Sequence, residues 1–198
     1  MEKAALNFVL VGVGGQGTIL ASDVLAELGL KLGYDVKKAE VHGMSQRGGS
    51  VVSHLRWGPQ VFAPVIARGE ADFLVAFEKL EAARFVDLLR PGGTVLVNDY
   101  AITPATVNAG SAVYPPDEAL QAALAAAGAR PVWVRGAEIA EGLGNAKVAN
   151  VVLLGALSGL LPKVDDAAWD EVLALRVPPK YLELNRKAFQ AGRGAVRA

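Results

Sequence analysis

The chain of 198 residues contains no cysteine, which excludes disulfides, thiol nucleophiles and every cysteine-ligated zinc or iron–sulfur site on this polypeptide. Neither sign of charge is in excess. With 20 Lys and Arg against 20 Asp and Glu, no global field draws the protein to nucleic acid or to an anionic membrane. A membrane span is missing as well, because the longest nearly apolar stretch, residues 148–161, is interrupted by Asn150 and Ser158 and falls short of the roughly 20 residues that cross a bilayer. It reads as a buried or partner-covered helix. No basic segment followed by an apolar stretch and a cleavage site opens the sequence, which predicts a cytoplasmic protein.

What is present suits one sizeable core: 52% of the residues are hydrophobic and 20% charged, enough for a single α/β domain and too few residues for two independent ones. Residues 7–11 form an apolar run that enters glycines, the pattern of a strand buried on both faces. Leu20, Leu25, Val24, Leu28 and Leu32 then follow helical spacing until Gly33. Further strands are predicted at 34–41, 50–57, 72–77, 94–98 and 131–134, and helices at 80–89, 117–127, 137–143 and 146–161. Alternation of this kind predicts a Rossmann-like α/β fold with a mostly parallel sheet, right-handed crossovers and flanking helices. The main domain is expected over residues 1–162. Beyond Pro162, helical segments at 165–175 and 181–190, separated by Val177, Pro178 and Pro179, form a C-terminal tail over 163–198 that is expected to pack on a partner.

Two loops carry polar chemistry. Gly12, Gly14 and Gly17, with Gly15 and Gln16 between them, match a G-x-G-x-x-G pattern between a strand and a helix, where glycines allow a tight turn and free N–H groups attract phosphate. Glu40 closes the second strand, where an acidic residue would hold a ribose hydroxyl. The same glycines also serve a plain helix–strand packing turn, and the motif by itself does not separate the two uses.

The second loop lies within Val41–Arg56, written VHGMSQRGGSVVSHLR. Arg47, followed by Gly48 and Gly49, offers a guanidinium fork suited to carboxylate or phosphate, and His42, Ser45 and Gln46 add hydrogen-bonding groups. A structural salt bridge for Arg47 and a turn cap for His42 are the plainer alternatives. Asn145, Lys147 and Asn150 form a secondary candidate group at the start of an apolar helix, where Lys147 and Asn150 share a face. Asn145 as a helix cap and Asn150 as a partner for buried backbone are favoured over phosphate binding there. Trp57, Trp133 and Trp169 read as core or interface residues.

The blocks GVGGQG at 12–17, AEVHGMSQRGGS at 39–50 and GNAKVANVVLLGAL at 144–157, with RVPPKYLELNRKAF at 176–189, resemble the γ-type subunits and domains of the 2-oxoacid:ferredoxin oxidoreductases. The HGMSQRGG wording is similar to their arylpyruvate branch. The resemblance implies the smaller subunit of a heteromeric enzyme that decarboxylates an aryl 2-oxoacid, such as indolepyruvate, on thiamine diphosphate. Electrons would pass through [4Fe-4S] clusters to ferredoxin, and the product would be an acyl-CoA. The chain has neither cysteines for a cluster nor a Gly-Asp-Gly…Asn element for the magnesium of the diphosphate, so a large α subunit is expected to hold these cofactors. No catalytic residue and no metal ligand are assigned to this chain. Arg47 and His42 are expected at the subunit interface, holding the substrate carboxylate or coenzyme A phosphates. A stand-alone NAD(P)-binding Rossmann oxidoreductase using Gly12–Gly17 and Glu40 is the competing reading, and a non-catalytic binding module is a third.

Overall fold

The computed structural model describes residues 4–42, 48–162 and 164–196, and of His42 the backbone alone. Its elements run β1 (Leu6–Val13), α1 (Thr18–Lys31), β2 (Asp35–His42), β3 (Ser50–Gly58), β4 (Ala71–Ala76), α2 (Lys79–Phe85), β5 (Leu89–Asn98), α3 (Ala105–Asn108), α4 (Asp117–Ala126), β6 (Arg130–Val134), α5 (Gly136–Gly142), α6 (Ala149–Leu160), α7 (Asp166–Arg176) and α8 (Leu182–Ala195). The strands form one six-stranded sheet in the order β2-β3-β1-β4-β5-β6. The α/β class and the mostly parallel sheet agree with the sequence.

Direction along the sheet is more varied than alternation suggested. Strands β1, β4, β5 and β6 are parallel, but β3 runs antiparallel between β1 and β2. The reason lies in chain length. Only residues 43–49 separate β2 from β3, whereas a parallel crossover needs about a dozen or more, so these strands must make a hairpin. Because β3 is buried along most of its length, it has the apolar character of a central strand and takes the place beside β1.

Side chains alternate across β1, and each set meets a different helical layer. Phe8 and Leu10 join the core that contains α1, α6, α7 and α8, while Val9 and Val11 join the one that contains α2 and α4. The sheet is thus covered on both faces. Trp57 packs against Phe8, with ring centroids 4.8 Å apart, and against Gly29 of α1, where an added Cβ would lie 2.5 Å from the indole nitrogen. His54, also on β3, accepts at Nδ1 from the Ile66 N–H at 3.3 Å, and burial pushes its pKa down.

Several boundaries moved, two of them at 3₁₀ turns. The helix expected over 80–89 ends at Phe85, passes through a 3₁₀ turn at Val86–Leu88, and β5 already begins at Leu89. Pro91 and Gly93 therefore lie inside a strand, in the segment where the β4–β5 register shifts between Ala71 and Phe73. Likewise the helix expected from residue 146 starts as a 3₁₀ turn at Ala146–Val148 before α6.

The C-terminal tail meets its own chain. Trp169, Val172 and Leu173 of α7 and Ala188 and Phe189 of α8 belong to the same hydrophobic cluster as α6. Gly155 of α6 lies so close to α8 that an added Cβ would be 1.9 Å from the Phe189 carbonyl oxygen, and Gly192 of α8 faces the Val152 carbonyl oxygen at 1.8 Å in the same sense. Backbone meets backbone at both points. The apolar surface of α6 is therefore covered from within the chain, and among the described residues no helix is long and apolar enough to cross a membrane.

A methyl group cannot enter this contact without moving a helix. Gly155→Ala is expected to lower the unfolding free energy by about 2–4 kcal/mol, since overpacking against backbone has no side chain to yield. Gly194→Ala on α8, where an added Cβ meets nothing within 4 Å, should be neutral or stabilising by up to about 1 kcal/mol. Urea denaturation of the two variants checks the contrast.

Candidate functional site

The strand order places a switch point between β1 and β4, because the chain leaves β1 toward β2 on one side and returns to β4 on the other. Open α/β sheets form ligand crevices at the carboxyl end of such a point. A cleft of about 460 Å³ lies at that edge, with Gly14, Gly15, Gln16 and Gly17 on one side and Asn98, Tyr100, Ala137, Glu141 and Lys147 among its other walls. The glycine loop thus forms part of a concave surface.

Each loop residue has a definable task. An added Cβ at Gly12 would lie 2.9 Å from Gln16 Oε1, from Phe77 Cβ and from Thr18 Cγ2, so only glycine fits there. Gly17 has a φ of 80° and precedes α1 as its N-cap residue, a left-handed conformation natural to glycine. Gln16 accepts from the Val13 N–H at 2.7 Å and donates through Nε2 to the Phe77 carbonyl at 2.8 Å. Its amide is a staple between β1 and the end of β4.

The Phe77 carbonyl receives a second donor, Asn98 Nδ2 at 3.1 Å, and Asn98 Oδ1 accepts from the Gly136 N–H at 2.9 Å. This row of amides joins the carboxyl ends of β1, β4 and β5 to the start of α5. Glu78, the next residue along, is 1% exposed. It caps α2 by accepting from the Glu81 N–H at 3.0 Å, accepts from the Ile102 N–H at 3.2 Å, and takes the Tyr114 hydroxyl as a third donor. Lys79 donates its own N–H to the Tyr100 carbonyl at 3.0 Å. Its ammonium lies 2.7 Å from Asp117 and 3.6 Å from Asp99, and the Asp117 hydrogen bond leads the causes that raise its pKa. The Tyr100–Ile102 wall of the cleft is therefore held by the first turn of α2.

Of the residues singled out from sequence, the structure brings Gly14, Gly15, Gln16, Gly17 and Lys147 to one cleft. Asn145 and Asn150 line a neighbouring pocket of about 290 Å³ that shares Lys147. Both behave as the packing reading expected. Asn145 Oδ1 caps the 3₁₀ turn by accepting from the Lys147 N–H at 3.0 Å, and the buried Asn150 accepts from the Val151 N–H at 2.9 Å while its amide donates to the Gly17 carbonyl at 3.4 Å. Gly48 and Gly49 end the second loop, and the Gly49 carbonyl accepts from the Gly14 N–H at 2.8 Å. The two loops touch at that bond. Ser45, Gln46 and Arg47 lie outside the described residues, as does the His42 side chain, although the His42 backbone pairs opposite Val51.

Glu40 does not approach the glycine loop as a dinucleotide enzyme would need. Strand β3 stands between β1 and β2, and the Glu40 carboxylate is 2.7 Å from Lys38, which also pairs with Asp23. Burial alone would lower the Lys38 pKa, but hydrogen bonds to Asp23 and Glu40 raise it above its ordinary value. That carboxylate is already engaged. The cleft itself carries one charged side chain of each sign, Lys147 and Glu141, beside Tyr100 and the Gly17 end of α1. Asn98, Glu78, Glu81 and Tyr114 escaped the sequence reading. The available signal was a polar residue directly after a buried apolar strand, as in Val97-Asn98 and Phe77-Glu78.

A γ-type oxidoreductase module is the class that this fold and edge define. The crystal structure of the γ subunit of a keto/oxoacid ferredoxin oxidoreductase from Geobacter sulfurreducens superposes with a TM-score of 0.71 at 26% identity, covering 97% of this chain and 98% of that one. Residues 7–195 match the family described as pyruvate ferredoxin/flavodoxin oxidoreductase, and the chain belongs to that family. Within it, the chain is 39% identical over 189 residues to indolepyruvate oxidoreductase subunit IorB of Thermococcus kodakarensis, spanning 94% of this chain and 93% of the relative. It is 40% identical over 190 residues to the subunit of the same name from Pyrococcus horikoshii, with the same coverage.

Burial leads, and the Glu78 hydrogen bond follows, among the causes that hold the Tyr114 phenol well above the ordinary value of 10. Ultraviolet titration of the four tyrosines should show one step displaced to higher pH, and Tyr114→Phe should remove that step. The sign follows from linkage: with the folded value raised, the contribution of Tyr114 to stability is complete below the unfolded pKa of about 10 and is lost as pH rises beyond it.

Proposed function

We propose that this chain is the smaller, IorB-type subunit of a thiamine-diphosphate- and iron–sulfur-dependent 2-oxoacid:ferredoxin oxidoreductase. The complex converts indolepyruvate or another arylpyruvate to the arylacetyl-CoA and reduces ferredoxin. The observation that carries this reading is the end-to-end similarity to IorB subunits, at 39% and 40% identity over 94% of the chain. The donor set of the chain itself agrees with a division of labour. Without cysteine it offers no thiolates to an iron–sulfur cluster, and among the described residues no three His, Asp or Glu side chains gather as metal ligands. In this reading a large partner subunit holds the thiamine diphosphate, its magnesium and the clusters.

The subunit's own contribution is to complete the site. In this reading His42, Ser45, Gln46 and Arg47 face the partner, and Arg47 holds either the carboxylate of the 2-oxoacid or a phosphate of coenzyme A through its guanidinium fork. Support comes from the residue that follows them closely in the chain, since Gly49 is bonded to Gly14 of the glycine loop at the carboxyl edge of the sheet. The complex works in the cytoplasm, and neither nucleic acid nor a membrane takes part.

Co-expression with the large subunit should give a complex that contains thiamine diphosphate and iron–sulfur clusters and reduces ferredoxin with indolepyruvate and coenzyme A. In that complex Arg47→Ala is expected to raise the apparent KM for the 2-oxoacid or for coenzyme A by about tenfold or more, as loss of a charge-assisted contact would. Unchanged kinetics and assembly would remove the role of Arg47. The isolated chain should show no rise in Tm with NADH; a rise would favour the nicotinamide reading by linkage.

A further inference from the structure

The pocket of about 290 Å³ beside the main cleft forms where two segments singled out in the sequence, 144–157 and 176–189, come together against α1. Leu20 of α1, Val148 of the 3₁₀ turn before α6 and Val177 after α7 give it apolar walls, while Lys147, Tyr181 and Asn185 give it polar ones. No role in the proposed function falls to this pocket.

Asn185 is the unusual residue. It is 6% exposed and lies near the start of α8, where asparagine is a weaker helix former than leucine or alanine. Its Nδ2 donates to the Tyr181 carbonyl at 2.9 Å, and because a carbonyl takes only a donor, that bond settles which end of the amide is the oxygen. Among the described residues Oδ1 accepts no hydrogen bond. An acceptor withheld from both water and donors is costly, yet this oxygen is not sealed in the core as Ser53 Oγ and the indole nitrogens of Trp57 and Trp169 are. It opens on the pocket, so a group that enters there can satisfy it.

The lining carries charge of one sign. No acidic side chain belongs to it, and the Lys147 ammonium has no ion pair among the described residues, although Glu141 stands on the wall of the adjoining cleft. Lys180 lies over the Tyr181 ring, 4.7 Å from its centroid, and is likewise without an ion pair among the described residues. The one acid of α8, Glu183, is taken by Arg186.

We propose that this pocket receives an acidic segment of the large partner subunit, whose carboxylate pairs with Lys147 and whose backbone N–H donates to Asn185 Oδ1; this rests on the function proposed above, which supplies that partner. A free carboxylate brings an acceptor but no donor, whereas an acidic peptide brings both. Tyr181, 44% exposed, and the apolar walls take the methylene groups of the segment, an aromatic anchor of the kind on which interface energy concentrates. Because Lys147 lines the pocket and the main cleft alike, the docked segment stands at the edge of that cleft.

The test uses the full chain and the large subunit. A carbodiimide joins a lysine only to a carboxylate that touches it, so in the wild-type complex Lys147 should crosslink to an Asp or Glu of the large subunit, located by mass spectrometry. Lys147→Glu should weaken assembly about tenfold or more at low salt, by a factor that shrinks as salt rises, and Asn185→Ala about three- to tenfold, the scale of one hydrogen bond. The Tm of each isolated variant should stay within about 3 °C of wild type, and Lys187→Glu, on an exposed residue of α8 outside the pocket, should change the affinity less than about twofold. Replacing the crosslinked acid of the large subunit by lysine should restore binding to Lys147→Glu. A crosslink from Lys147 only to a second copy of this chain, unaltered affinity in both pocket variants, or an equal loss in Lys187→Glu overturns the proposal. So does a rise in Tm with inorganic phosphate that Lys147→Glu abolishes while assembly is unaffected, which assigns a free anion instead. A complex that forms and crosslinks through Lys147 but turns over no 2-oxoacid overturns the functional reading and leaves the docking site standing.

Discussion

The carbonyl of Phe77, where β4 ends, must find donors away from water, and the arrangement of the whole carboxyl edge follows from how it does so. Two side-chain amides reach it, Gln16 from the glycine loop and Asn98 from the end of β5. Each amide has a second half, and that half binds another backbone group, Val13 N–H in one case and Gly136 N–H in the other. One buried acceptor thereby aligns three strand ends and a helix start. A lost partner would leave a buried polar group unsatisfied, at a cost of about 1–3 kcal/mol, so the loops are fixed relative to one another as firmly as the strands they extend.

From that edge the mixed sheet takes its meaning. A glycine-rich turn between a strand and a helix is shared by many α/β proteins, and its ligand depends on what the neighbouring strand brings beside it. Here the hairpin β2–β3 inserts an antiparallel strand beside β1. Glu40 is carried one strand farther out and pairs with Lys38, while the outgoing root of the hairpin turn comes against the glycine loop through Gly14 and Gly49. The same insertion carries the Glu40 carboxylate away from the glycine loop and brings Gly49 to it.

The opposite face depends on close approach of two helices. Gly155 and Gly192 let α6 and α8 meet at their backbones, and this buries the apolar surface of α6 within the chain. Residues 164–196 are consequently part of the packing that supports α1 and the sheet, through Trp169 and Phe189, whose ring centroids are 5.1 Å apart. Charged residues on the outer side of the tail, such as Arg186 with Asp170 at 2.6 Å, satisfy one another at the surface.

Periodicity and glycine placement in the sequence by themselves determined the α/β class, the positions of the six strands within a few residues, the glycine loop before α1 and, by the lack of cysteine, the exclusion of thiolate cluster ligands from this chain. Asn145 as a cap was legible because capping is local. Strand direction was legible only in hindsight from the short 43–49 connection, and the roles of Asn98, Glu78 and Glu81 were not legible at all. Their partners lie at Phe77 and Gly136, at Ile102 and Tyr114, and at Ser50, most of them far away in sequence and joined only when the strands are ordered side by side. Local patterns report which face of an element is buried. Which loops share an edge, and which buried polar groups must therefore satisfy one another, is settled by strand order, as the bond between Gly14 and Gly49 shows.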